Sequence, residues 1–357
     1  MENKKSPPPI SAGKGTRIEY IDALRGFTML LVVMFHVFVF SYRGWDFRYN
    51  SSYGIFFSTF RMPLFFFISG FIYYKYERRW DMANGFDFIK KKALIQLVPT
   101  AVFSLAYIYC FGGMTVDRLY RHIVDFDKSG YWFTIELFIF FIAVTLLRIL
   151  FQKIRLSLNQ ECAVFALVIL ALTSVYTIVP YNYWLESDVR TAIQMNYHRY
   201  FIYFLFGCIV KGKFSVVERM FDNKIFTMCL LSVFVIIGLL QIHDTFLPMQ
   251  QYVLAFTGIT VVFSFFRHYS NLFSQQTRMG KVLQYVGRRT LDIYLLHYFF
   301  LPYNLQELGQ WFSTHINPST EFFCTLLIAS SVIVLCLVSS NVLRVSPLLG
   351  KYLFGAK

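Results

Sequence analysis

Residues 21–40 read IDALRGFTMLLVVMFHVFVF, an apolar run interrupted by Asp22, Arg25 and His36. At about 1.5 Å of rise per residue, a helix of this length covers about 30 Å, the thickness of a bilayer's hydrocarbon core. The run is long enough to span, yet it carries three ionisable groups. A charged side chain at the centre of a spanning helix costs about 2.5 to 3.5 kcal/mol on insertion scales, so each of these groups needs a partner, a wet cavity or a function. Arg25 and His36 are eleven residues apart, which at about 100° per residue brings them within about 20° of three whole turns. They therefore share one face, separated by about 16 Å along the axis, and the stripe they mark runs from one membrane boundary into the opposite half of the bilayer. Asp22, three residues before Arg25, lies near the same face, placed to pair with it or to favour the positive end of the helix.

The rest of the chain repeats the pattern. Of 357 residues, 56% are hydrophobic, 20% aromatic and only 15% charged, and the mean hydropathy is +0.50; this composition excludes a water-soluble enzyme and a disordered chain. Nine further apolar runs follow, at about Tyr53 to Tyr74, Ala93 to Phe111, Tyr131 to Leu150, Cys162 to Val179, Tyr200 to Val210, Ile225 to Ile242, Met249 to Phe266, Thr290 to Leu305 and Phe322 to Val342. The sixth run of the ten is short for a span. With the N-terminus in the cytoplasm, the inner loops collect twenty-five Lys and Arg residues, and the outer loops hold only Arg43, Arg48, Arg118, Arg121, Lys128 and Arg190. That asymmetry predicts an all-α integral membrane protein of about ten transmembrane helices with both termini cytoplasmic. The net charge of +14 is then the signature of loops facing anionic lipid, and no nucleic-acid partner is expected. Residues 1–18 read as a flexible cytoplasmic tail, 19–345 as the transmembrane domain and 346–357 as a second cytoplasmic tail. The first run lacks a cleavage pattern behind it, so the N-terminus is expected to be retained. The six cysteines all fall in or beside apolar runs, where they behave as small hydrophobes.

Other ionisable groups sit where a membrane disfavours them. Arg61 stands before Met62-Pro63, a place where proline kinks a helix and frees a carbonyl beside a cavity. Glu136 follows Trp132 by four residues in the outer part of the fourth run, near the depth expected of His36. Asp292, Tyr294 and His297 lie in the ninth run; Tyr294 and His297 share a face, and a packing hydrogen bond is the alternative to a shared cavity with His36. At the cytoplasmic end of the second and third runs, Arg78, Arg79, Lys90, Lys91 and Lys92 form a cluster that a phosphate-bearing ligand would meet, unless it serves anionic lipid alone. In the outer loop, Tyr181, Tyr183 and Trp184 are candidates to stack on a sugar, or members of an interfacial aromatic belt. Metal-ligand spacings, phosphate-cradling glycine loops and GxSxG are absent from the sequence, so no metal is expected.

Taken together, Ile21-Asp22-Ala23-Leu24-Arg25-Gly26 with Val32-Val33-Met34-Phe35-His36, then Met62-Pro63-Leu64-Phe65-Phe66-Phe67-Ile68-Ser69-Gly70, Tyr131-Trp132-Phe133 with Glu136, and Gly287 to His297 resemble the membrane acyltransferase 3 family. The resemblance implies a multi-pass enzyme of the cell membrane that takes an acyl group, commonly acetyl, from cytoplasmic acyl-CoA and passes it to a hydroxyl of a cell-surface or exported glycan, free or lipid-linked. It implies acyl-CoA as co-substrate, with no permanently bound cofactor. His36 becomes the expected catalytic residue, Arg25 the donor-side residue and Glu136 a partner for the imidazole; direct transfer and a transient acyl-histidine both fit. Asp22, Arg61, Trp132, Tyr294 and His297 are expected to contact substrates, and Arg78, Arg79, Lys91 and Lys92 the donor's phosphates. Arg61 stands where similar sugar acetylases often carry His, and the extracytoplasmic domain of some members is expected to be missing here. Two other classes compete. A glycan or lipid-linked sugar exporter would use the intramembrane charges as a path, and a membrane scaffold would tolerate their neutral replacement.

Overall fold

The computed structural model describes residues 18–42, 54–113, 115–124, 130–178, 198–243, 248–315 and 317–355, and every regular element among them is helical. Fifteen α-helices follow in order among these residues: α1 (Glu19–His36), α2 (Gly54–Tyr73), α3 (Met82–Tyr107), α4 (Val116–Val124), α5 (Trp132–Lys153), α6 (Leu158–Ile178), α7 (Phe201–Gly212), α8 (Phe214–Asp222), α9 (Lys224–His243), α10 (Pro248–His268), α11 (Arg278–Arg288), α12 (Thr290–Phe300), α13 (Gln306–Thr314), α14 (Pro318–Leu343) and α15 (Pro347–Phe354). π-Helical turns extend α1 through Val37–Ser41 and α3 through Ile108–Gly112. Among the described residues, seven helices are long and apolar enough to cross a membrane, α1, α2, α3, α5, α6, α10 and α14, and an eighth span results if α8 and α9, bent by 76° at their junction, are counted as one. The aromatic candidates Tyr181, Tyr183 and Trp184 and most of the N-terminal tail lie outside the described residues.

Two of the ten apolar runs become short helices. The sixth forms α7, of twelve residues. The ninth forms α12, of eleven residues, which stops at Phe300 because Leu301 is extended ahead of Pro302; proline disfavours the helical region for the residue before it. Residues 346–357, read from sequence as a tail, instead contain α15. Ser346 caps its start by accepting from the Leu349 N–H, and Phe354 packs on Phe103 of α3 at 5.8 Å between ring centroids.

α1 is the central element, packed against α2, α10, α11, α12 and α14. Its crossing with α11 depends on two facing glycines: a Cβ on Gly26 would strike the Leu283 carbonyl oxygen, and one on Gly287 the Asp22 carbonyl oxygen. Gly70 of α2 and Gly207 of α7 meet in the same reciprocal way, over the carbonyls of Phe204 and Phe67. Close backbone approach through small residues is how helices gain contact area in lipid, where no hydrophobic force drives them together. Around this centre a wall of aromatic rings, among them Phe66, Phe67, Phe71 and Phe263, is fully buried. The outward faces of α6, α9 and α14 expose Leu167, Leu170, Ile236, Val334 and Val338, as lipid-facing surfaces should.

Polar residues in the interior are satisfied in sets. Arg148, 1% exposed, pairs with Glu161 and donates to the Tyr76 carbonyl at 2.9 Å, and it shares Glu161 with the Tyr74 hydroxyl, which donates at 2.6 Å. This ties α5 and α6 to the end of α2. Arg267 pairs with Glu218 and Asp222, fastening α8 to α10. Asp292 accepts from Ser340, Arg289 and Arg344, joining α12 to the end of α14.

These contacts define two ends of the molecule. At one lie the start of α1, α11, the start of α12 and α15; Glu19 accepts from the Gln275 N–H there, at 3.0 Å. At the other lie the end of α1, the π-turn of α3, the end of α12 and α13, where the Leu305 N–H donates to the Ser41 carbonyl at 3.2 Å.

Candidate active site

His36 closes α1 at the second end and meets His297 of α12, with Nδ1 2.7 Å from Nε2 and the rings stacked at 4.7 Å and 15°. The identity of the donor follows from the partners. His297 Nδ1 faces the carbonyl oxygens of Ile293 and Tyr294, at 3.1 and 2.8 Å. Carbonyls only accept, so His297 Nδ1 carries its proton and Nε2 presents a lone pair. His36 Nδ1 must then donate to it. In the neutral imidazole this leaves Nε2 of His36 unprotonated, on the side away from His297. His297 is fully buried, whereas His36 keeps partial accessibility.

The pair is held by tyrosines. Tyr298 packs on both rings, at 5.1 Å from His36 and 4.0 Å from His297, and its hydroxyl is shared between His36 Nε2 at 3.4 Å and the Gly130 carbonyl at 3.2 Å. Tyr294 also donates to Gly130, at 3.1 Å, and accepts from the Phe133 N–H, at 3.2 Å. Gly130 has φ +95°, and a Cβ there would strike the Tyr298 hydroxyl, so only glycine fits this turn. Tyr131 completes the link by donating to the Leu295 carbonyl at 2.8 Å. The loop before α5 is thus tied to α12 by three tyrosines. Arg61 of α2 lies over the Phe35 ring, at 3.4 Å from its centroid, which places a cation beside the residue that precedes His36.

Arg25 sits near the first end, hydrogen-bonded to Thr290 at 2.8 Å and 3.7 Å from Asp22. Lys92 of α3 feels the charges of Arg25, Lys91 and Arg78, and its ammonium stands over Phe141 at 4.2 Å. Arg78 covers Trp80, at 4.2 Å, and approaches Phe88, which Lys92 also reaches. Of the expected basic cluster, Lys92 and Arg78 converge on the Phe88 ring, with Arg25 of α1 near Lys92. Arg79, its side chain 88% exposed beside Asp81, and the exposed Lys91 do not.

Glu136 does not join His36. It is fully buried, and its Oε1 lies 2.5 Å from Nδ1 of His198, at the entrance to α7, while Oε2 has no hydrogen-bond partner among the described residues. Trp132, four residues earlier, stacks on Tyr200 at 5.6 Å and 21°. The helical spacing that gives Trp132 and Glu136 a common face turns that face to α7. Phe133, about 100° further round, meets Tyr294 at 5.6 Å. Sequence reasoning missed Tyr298, Gly130, Thr290 and His198. Tyr298 adjoins His297 but is hidden in an aromatic run, and nothing in sequence joins His198 to Glu136 across sixty-two positions.

The site is therefore a histidine pair, its outer ring nitrogen faced by the Tyr298 hydroxyl, at one end of α1 and a basic cluster at the other. Residues 18–339 match the sequence profile of the acyltransferase 3 family, described as an acyltransferase domain. No curated protein and no solved structure matches the chain.

Proposed function

The chain belongs to the membrane acyltransferase 3 family, and from that premise we propose that it takes an acyl group, acetyl foremost, from cytoplasmic acyl-CoA and passes it to a hydroxyl of a cell-surface or exported glycan, free or lipid-linked. The observation that carries this reading is the contact of His36 Nδ1 with His297 Nε2, from which the carbonyl partners of His297 Nδ1 assign an unprotonated Nε2 to His36. As general base it takes the proton of the acceptor hydroxyl while that oxygen bonds to the thioester carbonyl carbon. The C–S bond then breaks, its electrons leave on sulfur, and His36 returns the proton to the thiolate. Attack by Nε2 itself, giving an acyl-histidine that the hydroxyl then resolves, uses the same lone pair.

The donor enters at the basic end. Arg25, Lys92 and Arg78 are placed to receive its phosphates, and its arm bridges the interval of about 16 Å to His36. Arg61 is placed to contact substrate beside Phe35, and Trp132 with Tyr200 offers a flat surface on the acceptor side. A location in the cell membrane with ten spans and cytoplasmic termini is supported by the loop charges and by the seven long helices with the bent pair α8–α9; α7 and α12 supply the two short spans.

The test is transfer of labelled acetyl from acetyl-CoA in membranes that contain the protein, with the surface-glycan fraction present, against matched His36→Ala membranes. His36-dependent label in glycan is the expected result, with a loss of about 10²-fold or more in the variant. Equal label in both removes the mechanism. No label, together with no acyl-CoA binding by the folded protein, transfers the case to an exporter.

A further inference from the structure

A cavity of about 250 Å³ opens where the π-turn of α3 faces α4, lined by Tyr107, Phe111, Arg118, Arg121 and His122. It connects to the histidine pair through Tyr298. The Tyr107 ring lies 5.8 Å from that of Tyr298, which lies 5.1 Å from His36, and the Tyr107 hydroxyl meets that of Tyr303 at 3.1 Å, which in turn donates to the Tyr298 carbonyl at 2.7 Å. The cavity is thus two ring contacts from the catalytic base, at the end of the molecule opposite Arg25 and Lys92.

Its charge runs against the side it is on. In the ten-span reading this end faces away from the cytoplasm, where the loops carry six Lys and Arg residues in all, and two of those six, Arg118 and Arg121, line this one cavity. Positive-inside bias and anionic lipid of the inner leaflet therefore do not account for them. Arg118 folds back over Gly112, and Arg121 is held by Asp117 at 3.0 Å, while His122 meets Ser104 at 3.2 Å. Guanidinium groups recognise carboxylate and phosphate oxygens through paired N–H donors, and Tyr107 and Phe111 supply apolar faces for the C–H side of a sugar ring. The volume is below the roughly 300 to 1,000 Å³ of sites for larger ligands, which suits one sugar unit.

We propose that this cavity docks an anionic group of the acceptor, the carboxylate or phosphate of an acidic sugar unit, and so holds the acceptor at the end of the molecule where His36 lies. The proposal rests on the acyl-transfer reading above and names the class of its acceptor. The test is binding of glucuronate, glucose 6-phosphate, glucose and inorganic phosphate to the full-length protein in lipid nanodiscs, followed by calorimetry. One of the two acidic sugars is expected to bind at least tenfold more tightly than glucose and than inorganic phosphate, and the tighter of the two identifies the anionic group. The doubly substituted Arg118→Gln/Arg121→Gln protein should lose tenfold or more, with unliganded melting unchanged because both side chains are exposed; Arg118→Lys/Arg121→Lys should recover part of the loss. Glucose or inorganic phosphate binding as well as the tighter acidic sugar, or undiminished binding in the Gln variant, each overturns the assignment. Absence of His36-dependent transfer overturns the reading beneath it, whereas failed binding with transfer intact overturns the cavity alone.

Discussion

At the residue scale, the identity of the base nitrogen rests on His297 rather than on His36 itself. Removing the acceptor at His297 frees the His36 ring to rotate or to change tautomer. His297→Leu is therefore expected to lower the transfer rate by about 10²-fold while leaving KM for acyl-CoA unchanged, because the proposed donor contacts lie at the other end of α1. His297→Gln, whose amide oxygen can accept from His36 Nδ1, should recover a substantial part. Steady-state kinetics on the two variants separate a positioning role from loss of folding; a matched fall in both would end the tautomer argument. The face shared by Arg25 and His36 was legible from the eleven-residue spacing, and so was a second histidine in the ninth run. The partner was not. Periodicity ranks residues around one helix but carries no information on which helix turns toward it, so Glu136 was as good a candidate for the imidazole as His297. Only the turn at Gly130, with its positive φ, and the tyrosines that grip it decide that α12 and not α5 faces His36.

At the element scale, the apolar runs identified most helices to within a few residues, because some 20 apolar positions in a row leave a chain in lipid no other way to satisfy its backbone. The failures have local causes. Pro302 halts α12, and the capping Ser346 with Pro347 starts a helix within the stretch read as a C-terminal tail. Helix crossings were invisible for a different reason: a glycine in a spanning run looks the same whether it faces lipid or a carbonyl. Gly26→Leu and Gly207→Leu should each force α1 from α11 or α2 from α7, destabilising the protein by about 1 to 3 kcal/mol or more. Thermal unfolding in detergent, followed by size-exclusion chromatography, checks this; melting points unchanged from the parent would mean that the crossings are looser than their geometry implies. Glu161→Gln tests the interior set on α5 and α6 the same way. Removing one partner of a buried ion pair leaves the other charge uncompensated, at a cost of about 3 to 5 kcal/mol, so loss of folded protein is expected there. An exposed pair such as Asp117–Arg121 can be neutralised with little effect on melting.

At the scale of the whole molecule, the ends are chemically unlike, one basic and one aromatic, and the orientation of the chain follows from which end faces the cytoplasm. Cys110, exposed in the π-turn of α3 beside the proposed acceptor cavity, should react with a membrane-impermeant maleimide in intact cells, and a reporter fused at Lys357 should be active only in the cytoplasm. Labelling of Cys110 only after the membrane is opened would invert the topology and with it the assignment of donor and acceptor ends. The interval between those ends is itself set by packing. The facing glycines at the α1–α11 crossing work as a mechanical key. Sliding α1 by one turn, about 5.4 Å along its axis, would carry Asp22 or Leu30 to the Leu283 carbonyl in place of Gly26, where even a single Cβ collides. α1 is therefore indexed, unable to slide as a piston between the proposed donor and acceptor ends, and a carrier whose arm is a few ångströms shorter or longer would have to be met by movement of the other helices.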